Sequence, residues 1–167
     1  VAELGWEHPT PIQQKAIPIA RGGQDVIGIA QTGTGKTGAF LLPILQKLGY
    51  QSNPVPRVII FAPTKELAIQ IGEHFEELKV SEEHKSVVLV GGVGIKLQIE
   101  AISKGVDVIV ATPGRFMDVY RNGVLSLKQI NTMVLDEADR LMDMGFMPQL
   151  RNILEVVPLK RQNMLFS

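Results

Sequence analysis

The sequence predicts an α/β domain: a mainly parallel sheet with helices on both faces. Two observations lead to this prediction: short runs rich in β-branched residues alternate with helical patterns, and the runs are almost continuously apolar. Continuous apolar runs are typical of strands buried on both faces, and such strands pair in parallel through crossover helices. The length of 167 residues is that of one domain, so residues 1–167 are taken as a single unit.

Six apolar runs are predicted as strands: DVIGIA (25–30), RVIIFA (57–62), SVVLV (86–90), VDVIVA (106–111), TMVLD (132–136) and NMLFS (163–167). Between them, apolar residues recur at the spacing of one helical face. Two such sets are predicted as crossover helices, namely Phe40, Leu41, Ile44, Leu45 and Leu48, and Leu67, Ala68, Ile71, Phe75 and Leu78. The methionines and the phenylalanine of RLMDMGFMPQL (140–150) are predicted to lie in the core.

The composition excludes several classes of protein. Lys plus Arg (17) equals Asp plus Glu (17), so bulk charge cannot bind nucleic acid or a membrane, and any nucleic-acid site must be local. The absence of cysteine excludes disulfides and thiolate metal sites, and we expect a cytoplasmic location. No apolar stretch or signal peptide predicts membrane association. The histidines, His8, His74 and His84, have no metal-ligand spacing and are predicted to be ordinary surface residues.

The segment AQTGTGKT (30–37) follows the first predicted strand and opens a helix. It matches the phosphate-binding loop pattern, except that alanine replaces the first glycine. Gly33 and Gly35 let backbone amides turn toward an anion, Lys36 would reach the β- and γ-phosphates, and Thr37 would bind Mg²⁺. The alternative is a glycine turn that caps a helix. The strand before the loop and the helix after it favour a nucleotide site.

Three carboxylates crowd into VLDEADR (134–140), directly after an apolar run. Asp136, at the end of a strand, could hold a metal ion through water, and Glu137 could orient the attacking water or take its proton. The alternative is an acidic helix start, which the helix macrodipole favours. The phosphate loop elsewhere in the chain favours the catalytic interpretation, whereas Asp139 fits a first-turn helix charge equally well.

Two further motifs, PTKELA (63–68) and TPGR (112–115), each place a threonine between a strand and a helix. The helix N-termini, together with Lys65 and Arg115, suit the phosphates of a second, extended ligand. Glycines 91 and 92 would allow a backbone to approach closely. Helix capping alone also explains both threonines, so this interpretation stays open. No aromatic platform for base stacking is present, which argues against sequence-specific recognition.

In combination, these motifs resemble those of the DEAD-box RNA helicases, named for the tetrapeptide at 136–139. The likeness runs through the chain in order. GWEHPTPIQ (5–13) resembles the Q motif, AQTGTGKT motif I, PTKELA motif Ia, GG and TPGR the Ib-type motifs, and VLDEADRLMDMGF motif II with its following helix. The resemblance implies that residues 1–167 form a RecA-like P-loop domain, the first of two in the family.

For the nucleotide, the resemblance implies ATP bound with Mg²⁺. Gln13 would recognise the adenine ring, and Thr10 and Ile12 would shape that pocket. Asp136 would hold the metal through water and Glu137 would be the catalytic base. The loop residues around the phosphates would be Gln31, Thr32, Gly33, Thr34, Gly35, Lys36 and Thr37.

For the second ligand, the resemblance implies single-stranded RNA. Its sugar-phosphate backbone would lie along Thr64, Lys65, Gly92, Thr112 and Arg115. Asp139 would couple the two ligands through motif III, which would begin at Ser167, and through the second domain. Lys65 stands where the family usually has arginine, so a forked phosphate contact would become a single-point one.

The second RecA-like domain, with its arginine finger, is expected to lie outside this chain. The 167-residue chain is therefore expected to be a monomer that hydrolyses ATP poorly and unwinds nothing. Two alternatives remain at this stage. A DNA-dependent helicase or translocase is disfavoured by the DEAD tetrapeptide and Gln13, and an RNA clamp that binds ATP without turnover is disfavoured by Lys36 and Glu137.

Overall fold

The computed structural model describes residues 8–167 and contains one sheet of six strands. The strands are β1 (Val26–Gly28), β2 (Val58–Phe61), β3 (Ser86–Leu89), β4 (Val108–Ala111), β5 (Thr132–Leu135) and β6 (Gln162–Phe166). Their order is β1-β6-β5-β2-β4-β3, and every pairing is parallel. The predicted fold class is confirmed, and each predicted strand has a counterpart.

Seven helices lie within residues 8–167. They are α1 (Pro11–Arg21), α2 (Lys36–Lys47), α3 (Lys65–Leu78), α4 (Ile95–Ser103), α5 (Pro113–Arg121), α6 (Ala138–Asp143) and α7 (Met147–Val156). Helix α1 precedes the first strand, and the other six connect the strands. The predicted crossover helices are α2 and α3. None of these helices is long and apolar enough to cross a membrane.

The sheet separates two hydrophobic cores, one on each face. Helices α1, α2 and α3 cover one face, and α4 to α7 cover the other. An aromatic pair lies in each core: Phe40 and Phe166 have ring centroids 5.5 Å apart, and Phe61 and Phe116 meet edge to face at 5.1 Å. Because burying one such side chain contributes about 1.5–3 kcal/mol, both faces help to hold the sheet in place.

The first strand departs from the prediction of burial on both faces. Val26 is buried in the α1–α3 core, but Ile27 and Ile29 are 78% and 83% exposed. Strand β1 lies at the edge of the sheet, and no helix within residues 8–167 covers the outer side of Ile27. The apolar character of a run therefore did not reveal how many of its faces are covered.

The methionines of the segment after β5 are not core residues, so that prediction was wrong. Met142, Met144 and Met147 are 51%, 48% and 38% exposed. Helix α6 ends after six residues, and Gly145 adopts a φ of 81° in the turn before α7. This turn interrupts the helical period, so only Leu141 and Leu150 of the segment are buried and Phe146 is partly so.

The strand order divides the carboxyl edge of the sheet into two neighbouring groups of segments. Strands β1, β6 and β5 lead into 29–37, 167 and 136–139, which we call the carboxylate half. Strands β2, β4 and β3 lead into 62–65, 112–115 and 90–94, which we call the threonine half. Ligands of open parallel sheets bind at this edge, so both halves can contribute to one site.

Candidate functional site

The loop between β1 and α2 closes on itself in the carboxylate half. Gly33 and Gly35 have φ angles of 79° and 87°, a region that side chains with a Cβ atom rarely adopt. Gly35 is the N-cap of α2, so the helix begins with Lys36 and Thr37. The Lys36 ammonium donates to the carbonyl of Ala30 at 2.9 Å and arches over the loop. The result is a backbone concavity at a helix N-terminus, where an anion is stabilised.

Other loop contacts fix its shape. The Thr34 hydroxyl donates to the carbonyl of Gln31. The loop is also tied to the end of β6, because the Ala30 amide donates to the Ser167 carbonyl at 2.9 Å and the Ser167 amide donates to the Gly28 carbonyl at 3.0 Å. Strand β6 therefore holds the loop beside β5, which carries the carboxylates.

Asp136 lies at the carboxyl end of β5 and is only 3% exposed. Its amide donates to the Phe61 carbonyl at 2.9 Å, and its side chain accepts the Glu137 amide at 3.0 Å. Burial raises the pKa of Asp136 to about 6, against the opposing effects of the Glu137 amide and the positive charge of Lys36. A carboxylate held in this way gains from a nearby cation, because a cation compensates the loss of hydration.

Glu137 has the single positive φ among the non-glycine residues of 8–167, at 48° with ψ of 53°. This left-handed conformation is uncommon for a residue with a long side chain and is concentrated at functional sites. The side chain is 19% exposed and accepts a hydrogen bond from Arg140 at 3.2 Å. The turn at Glu137 thus separates the strand from α6 and directs this carboxylate differently from Asp136.

A cavity of about 320 Å³ brings these groups together. Lys36, Thr37, Asp136 and Glu137 all line it, together with Thr32, Gly33 and Gly35. The loop and the acidic pair are therefore neighbours in space, as the proposed chemistry requires. Volumes of this order are typical of small-molecule sites.

Three residues of α3 also line this cavity and were missed from the sequence: Leu67, Gln70 and His74. His74 is half-buried, and the prediction that it is an ordinary surface residue is wrong. Its Nδ1 atom is buried without a hydrogen-bond partner among residues 8–167. The spacing of these positions, three and then four residues, places them on one helical face and is the signal that could have found them.

The start of α1 and the residues before it pack directly on the loop between β1 and α2, residues 29–35, which we call the phosphate-type loop. The Gln13 amide nitrogen donates to the Gly35 carbonyl at 3.0 Å, and its oxygen accepts the Thr10 amide at 3.0 Å. The Thr10 hydroxyl is buried with no partner in the described part of the chain. Ile12 lies close to Gly28, because a Cβ on that glycine would stand 3.2 Å from the isoleucine. Residues 5–7 of the predicted Q motif lie outside the described residues.

Asp139 and Ser167 also lie close together. The Ser167 hydroxyl is the largest of the influences that hold the pKa of Asp139 below its ordinary value. Asp139 is in the first turn of α6, and Ser167 follows β6 beside the phosphate-type loop. This contact joins the acidic segment to the strand that supports the loop.

In the threonine half, two helix N-termini face the rim. Thr64 is the N-cap of α3, and its hydroxyl accepts the Leu67 amide at 3.3 Å. Thr112 is the N-cap of α5, but its hydroxyl makes no capping hydrogen bond, contrary to the capping prediction. Pro113 occupies the first helical position, where proline is favoured. The Thr112 hydroxyl therefore has no structural role in the cap.

The cations of the threonine half converge on the loop after β3. The Arg115 guanidinium donates to the Val93 carbonyl at 2.8 Å. The Lys65 ammonium lies near Gly92, since a Cβ on that glycine would stand 3.4 Å from it. Gly92 has a φ of 81°. The structure thus places all five predicted residues of this half at one edge of the sheet, with Lys65 and Gly92 exposed and Thr64, Thr112 and Arg115 half-buried.

Comparison with known proteins agrees with this geometry. The family model for DEAD/DEAH box helicases matches residues 10–167. The chain is 49% identical to the ATP-dependent rRNA helicase rrp3 of Schizosaccharomyces pombe over 99% of this chain and 36% of that protein. It is 45% identical to the ATP-dependent RNA helicase CshA of Listeria monocytogenes over 100% of this chain and 32% of that protein. The chain thus spans about a third of the length of these relatives.

A solved structure shares the fold as well as the sequence. The crystal structure of a DEAD box protein from the hyperthermophile Methanococcus jannaschii superposes with a TM-score of 0.91 at 38% identity. The match covers 99% of this chain and 45% of that one. With the family model matched across nearly all of its length, the chain belongs to the DEAD/DEAH box helicase family.

Proposed function

We propose that this chain is the ATP-binding first core domain of an ATP-dependent RNA helicase. The observation that carries the proposal is the cavity shared by Lys36, Thr37, Asp136 and Glu137. The relatives named above are RNA helicases that depend on ATP, which supports the substrate pair. The chain covers only about a third of each, so unwinding by a whole protein is part of the proposal.

The residues present fit a magnesium nucleotide. Mg²⁺ is usually held by one or two protein oxygens, with water and substrate phosphates completing its shell. The Thr37 hydroxyl and the buried Asp136 carboxylate are suitable donors in the same cavity. The raised pKa of Asp136 is the expected state of a carboxylate whose cation partner is supplied by a ligand. When bound, the metal would neutralise negative charge on the phosphates.

The residues of the chain have separable roles in the proposed reaction. The concavity around Gly33 and Gly35 would position the phosphates, and Lys36 would exchange its bond to the Ala30 carbonyl for one to a phosphate oxygen. Glu137 would accept a proton from the attacking water, for which its separate orientation from Asp136 is suited. Asp139 and Ser167 would couple nucleotide binding in this cavity to the neighbouring segments.

The threonine half would bind the backbone of single-stranded RNA. The N-termini of α3 and α5 provide backbone amides that suit phosphates, and Lys65 and Arg115 provide positive charges. None of these groups would read a base edge. Such contacts give affinity without sequence preference. In a whole protein, a second RecA-like domain would close over both ligands.

Without that closure, we propose that the chain itself binds ATP but hydrolyses it slowly. Within residues 8–167, the side chains that line the cavity include Lys36 but no arginine. An arginine contributed by another domain accelerates phosphoryl transfer by about 10³ to 10⁵ in related reactions. The monomeric state and the cytoplasmic location expected from the sequence stay predictions.

The nucleotide assignment is tested by comparing ATP and GTP binding before and after Gln13→Ala. The wild-type chain should prefer ATP by about tenfold, because one paired hydrogen-bond contact to adenine would be absent with guanine. The variant should lose the preference. The ratio of the two dissociation constants is the readout, because the same substitution removes the Gln13–Gly35 hydrogen bond and could weaken both nucleotides alike.

The neighbouring Gln14 provides the matched control, since it is exposed and its side chain donates to the Pro9 carbonyl, away from the loop that Gln13 contacts. Gln14→Ala should keep the ATP preference. A wild-type chain that binds both nucleotides equally would contradict the adenine assignment.

A further inference from the structure

A second cavity, of about 410 Å³, lies at the opposite edge of the sheet from the nucleotide site. It forms where β2, β5 and β6 begin, at Val58, Thr132 and Gln162, and where α2 ends at Lys47. The proposed ATP and RNA chemistry uses none of these residues. The cavity is large enough for one or two side chains of a peptide.

The floor of this cavity is apolar. Ile44, Val58 and Met164 line it and are only 3%, 3% and 1% exposed, so they belong to the α1–α3 core. Pro43 and Leu48 extend the same surface. An apolar ligand group placed here would exclude water from surface that the fold already holds rigid.

The rim of this cavity is cationic. Lys47, Arg57, Lys160 and Arg161 line it, and no Asp or Glu among residues 8–167 does. Arg57 is compensated, because it forms an ion pair with the buried Asp107. The other three cations form no ion pair within residues 8–167. In a chain whose formal net charge is zero, this is a local excess of positive charge.

Two of these cations are held in place by neutral oxygens. The Lys47 ammonium donates to the Gln162 side-chain oxygen at 2.9 Å and to the Ala20 carbonyl. The Arg161 guanidinium donates to the Asn163 side-chain oxygen at 2.9 Å and to the Pro158 carbonyl. Their positions are fixed while their charges stay available, so an arriving anion meets preorganised partners.

We propose that this cavity binds a short acidic peptide of a partner protein, with an aliphatic or aromatic side chain on the floor and carboxylates on Lys47, Lys160 and Arg161. Leu159, next to these cations, is 91% exposed and offers a further apolar contact. RNA phosphates could meet the cations, but no aromatic side chain of residues 8–167 lines the cavity to stack on a base. The combination of an apolar floor and a basic rim therefore favours a peptide.

The test is fluorescence anisotropy of the 167-residue chain with a labelled acidic hexapeptide that carries leucine and phenylalanine at its centre. The comparison peptide has two central alanines and the same charges. The first peptide should bind at least tenfold more tightly, and Lys47→Gln combined with Lys160→Gln should weaken it by about tenfold or more. Lys15→Glu, on the exposed surface of α1, is the matched charge control and should change binding less than twofold.

Several outcomes would overturn the proposal. They are no measurable binding of the first peptide, equal binding of the two peptides, or equal losses in the Lys15 control and the double variant. A short oligouridylate is tested in parallel. If it binds at this surface and the peptide does not, the cations are an RNA contact and the peptide proposal is wrong. The result is independent of the ATP proposal, which rests on the other edge of the sheet.

Discussion

The carboxylate half and the threonine half of the rim hold their polar groups in opposite ways. In the carboxylate half, Asp136 is 3% exposed in a cavity of about 320 Å³, and Glu137 sits on a left-handed turn. In the threonine half, Lys65 is exposed and the Thr112 hydroxyl is free of the helix cap. The first arrangement buries Asp136 and constrains Glu137, while the second leaves Lys65 at the surface and Arg115 half-buried.

This difference fits two kinds of ligand. Bond cleavage benefits from oriented charges in a site with little water, where electrostatic interactions are stronger. Binding of a nucleic-acid backbone needs accessible cations and amides, which exchange counterions for phosphates at little desolvation cost. We therefore expect substitutions in the carboxylate half to alter rate or stability strongly, and substitutions in the threonine half to alter RNA affinity modestly.

The largest expected effect is that of Glu137→Gln on hydrolysis. In a full-length protein that includes this chain, we expect the RNA-stimulated kcat for ATP to fall by about 10² to 10⁴, the usual contribution of a general base. ATP and RNA affinities should stay within about twofold. Steady-state kinetics and equilibrium titrations measure the two separately.

Arg140→Ala is the control for this substitution, because it removes the ion pair with Glu137 but keeps the carboxylate. Its kcat should remain near that of the wild type. Unchanged hydrolysis in Glu137→Gln would reject Glu137 as the base. A large loss of RNA affinity would show that the two halves are not separable in the way the comparison supposes.

The second-largest expected effect is that of Asp136→Asn on the free energy of unfolding. Its sign is unusual, because the substitution should stabilise the chain. Asp136 has a folded-state pKa of about 6, above the ordinary value of 3.8. Between these values the folded chain binds more protons than the unfolded chain, so stability should fall as pH rises through this window. Asp136→Asn removes the buried charge and should raise the free energy of unfolding at pH 7.5 by up to roughly 3 kcal/mol, with no gain below pH 3.8.

Urea unfolding at several pH values measures this effect. Asp139→Asn is the contrasting variant, because the pKa of Asp139 is lowered by the Ser167 hydroxyl, and its loss should not stabilise the chain at pH 7.5. Destabilisation by Asp136→Asn at pH 7.5 would mean that the Asp136 carboxylate is better compensated than its burial indicates. Asp136 would then contribute to stability as well as to the proposed binding of Mg²⁺.

The sequence predicted the sheet well because apolar runs and crossover helices are local patterns. The meeting of Lys36 with Asp136 followed from a general property of parallel sheets, whose carboxyl strand ends share one edge. The order in which β6 separates β1 from β5 could not be read, since it depends on long-range packing. The Gln13–Gly35 hydrogen bond likewise joins positions 22 residues apart through the packing of α1 on α2.

Other predictions were wrong because they depend on more than the local sequence pattern. The exposure of Ile27 depends on what covers the edge of the sheet, which a run of apolar residues does not encode. The exposure of Met147 follows from the turn at Gly145, which ends the helical period of α6 before α7 begins. His74 shows a readable helical spacing, but its place in the cavity requires knowing that α3 packs beside α2.

The smallest expected effect is on stability, and it distinguishes Thr64 from Thr112, which occupy equivalent positions in their sequence motifs. Thr64→Val removes a hydroxyl that caps α3, so it should lower the free energy of unfolding by about 1 kcal/mol. Thr112→Val removes a hydroxyl that caps nothing and should change stability by less than about 0.5 kcal/mol. If both hydroxyls also contact RNA, each variant should weaken single-stranded RNA binding by about two- to tenfold, the contribution of one hydrogen bond.

Urea unfolding and RNA titration of the same variants distinguish a structural role from a binding role. A loss of RNA affinity in Thr112→Val with unchanged stability can arise only at the surface, because its hydroxyl supports no helix cap. If Thr112→Val binds RNA as the wild type does, the RNA backbone does not pass over the start of α5. The threonine half would then be confined to α3 and the Gly92 loop, and Arg115 would serve mainly to hold that loop through the Val93 carbonyl.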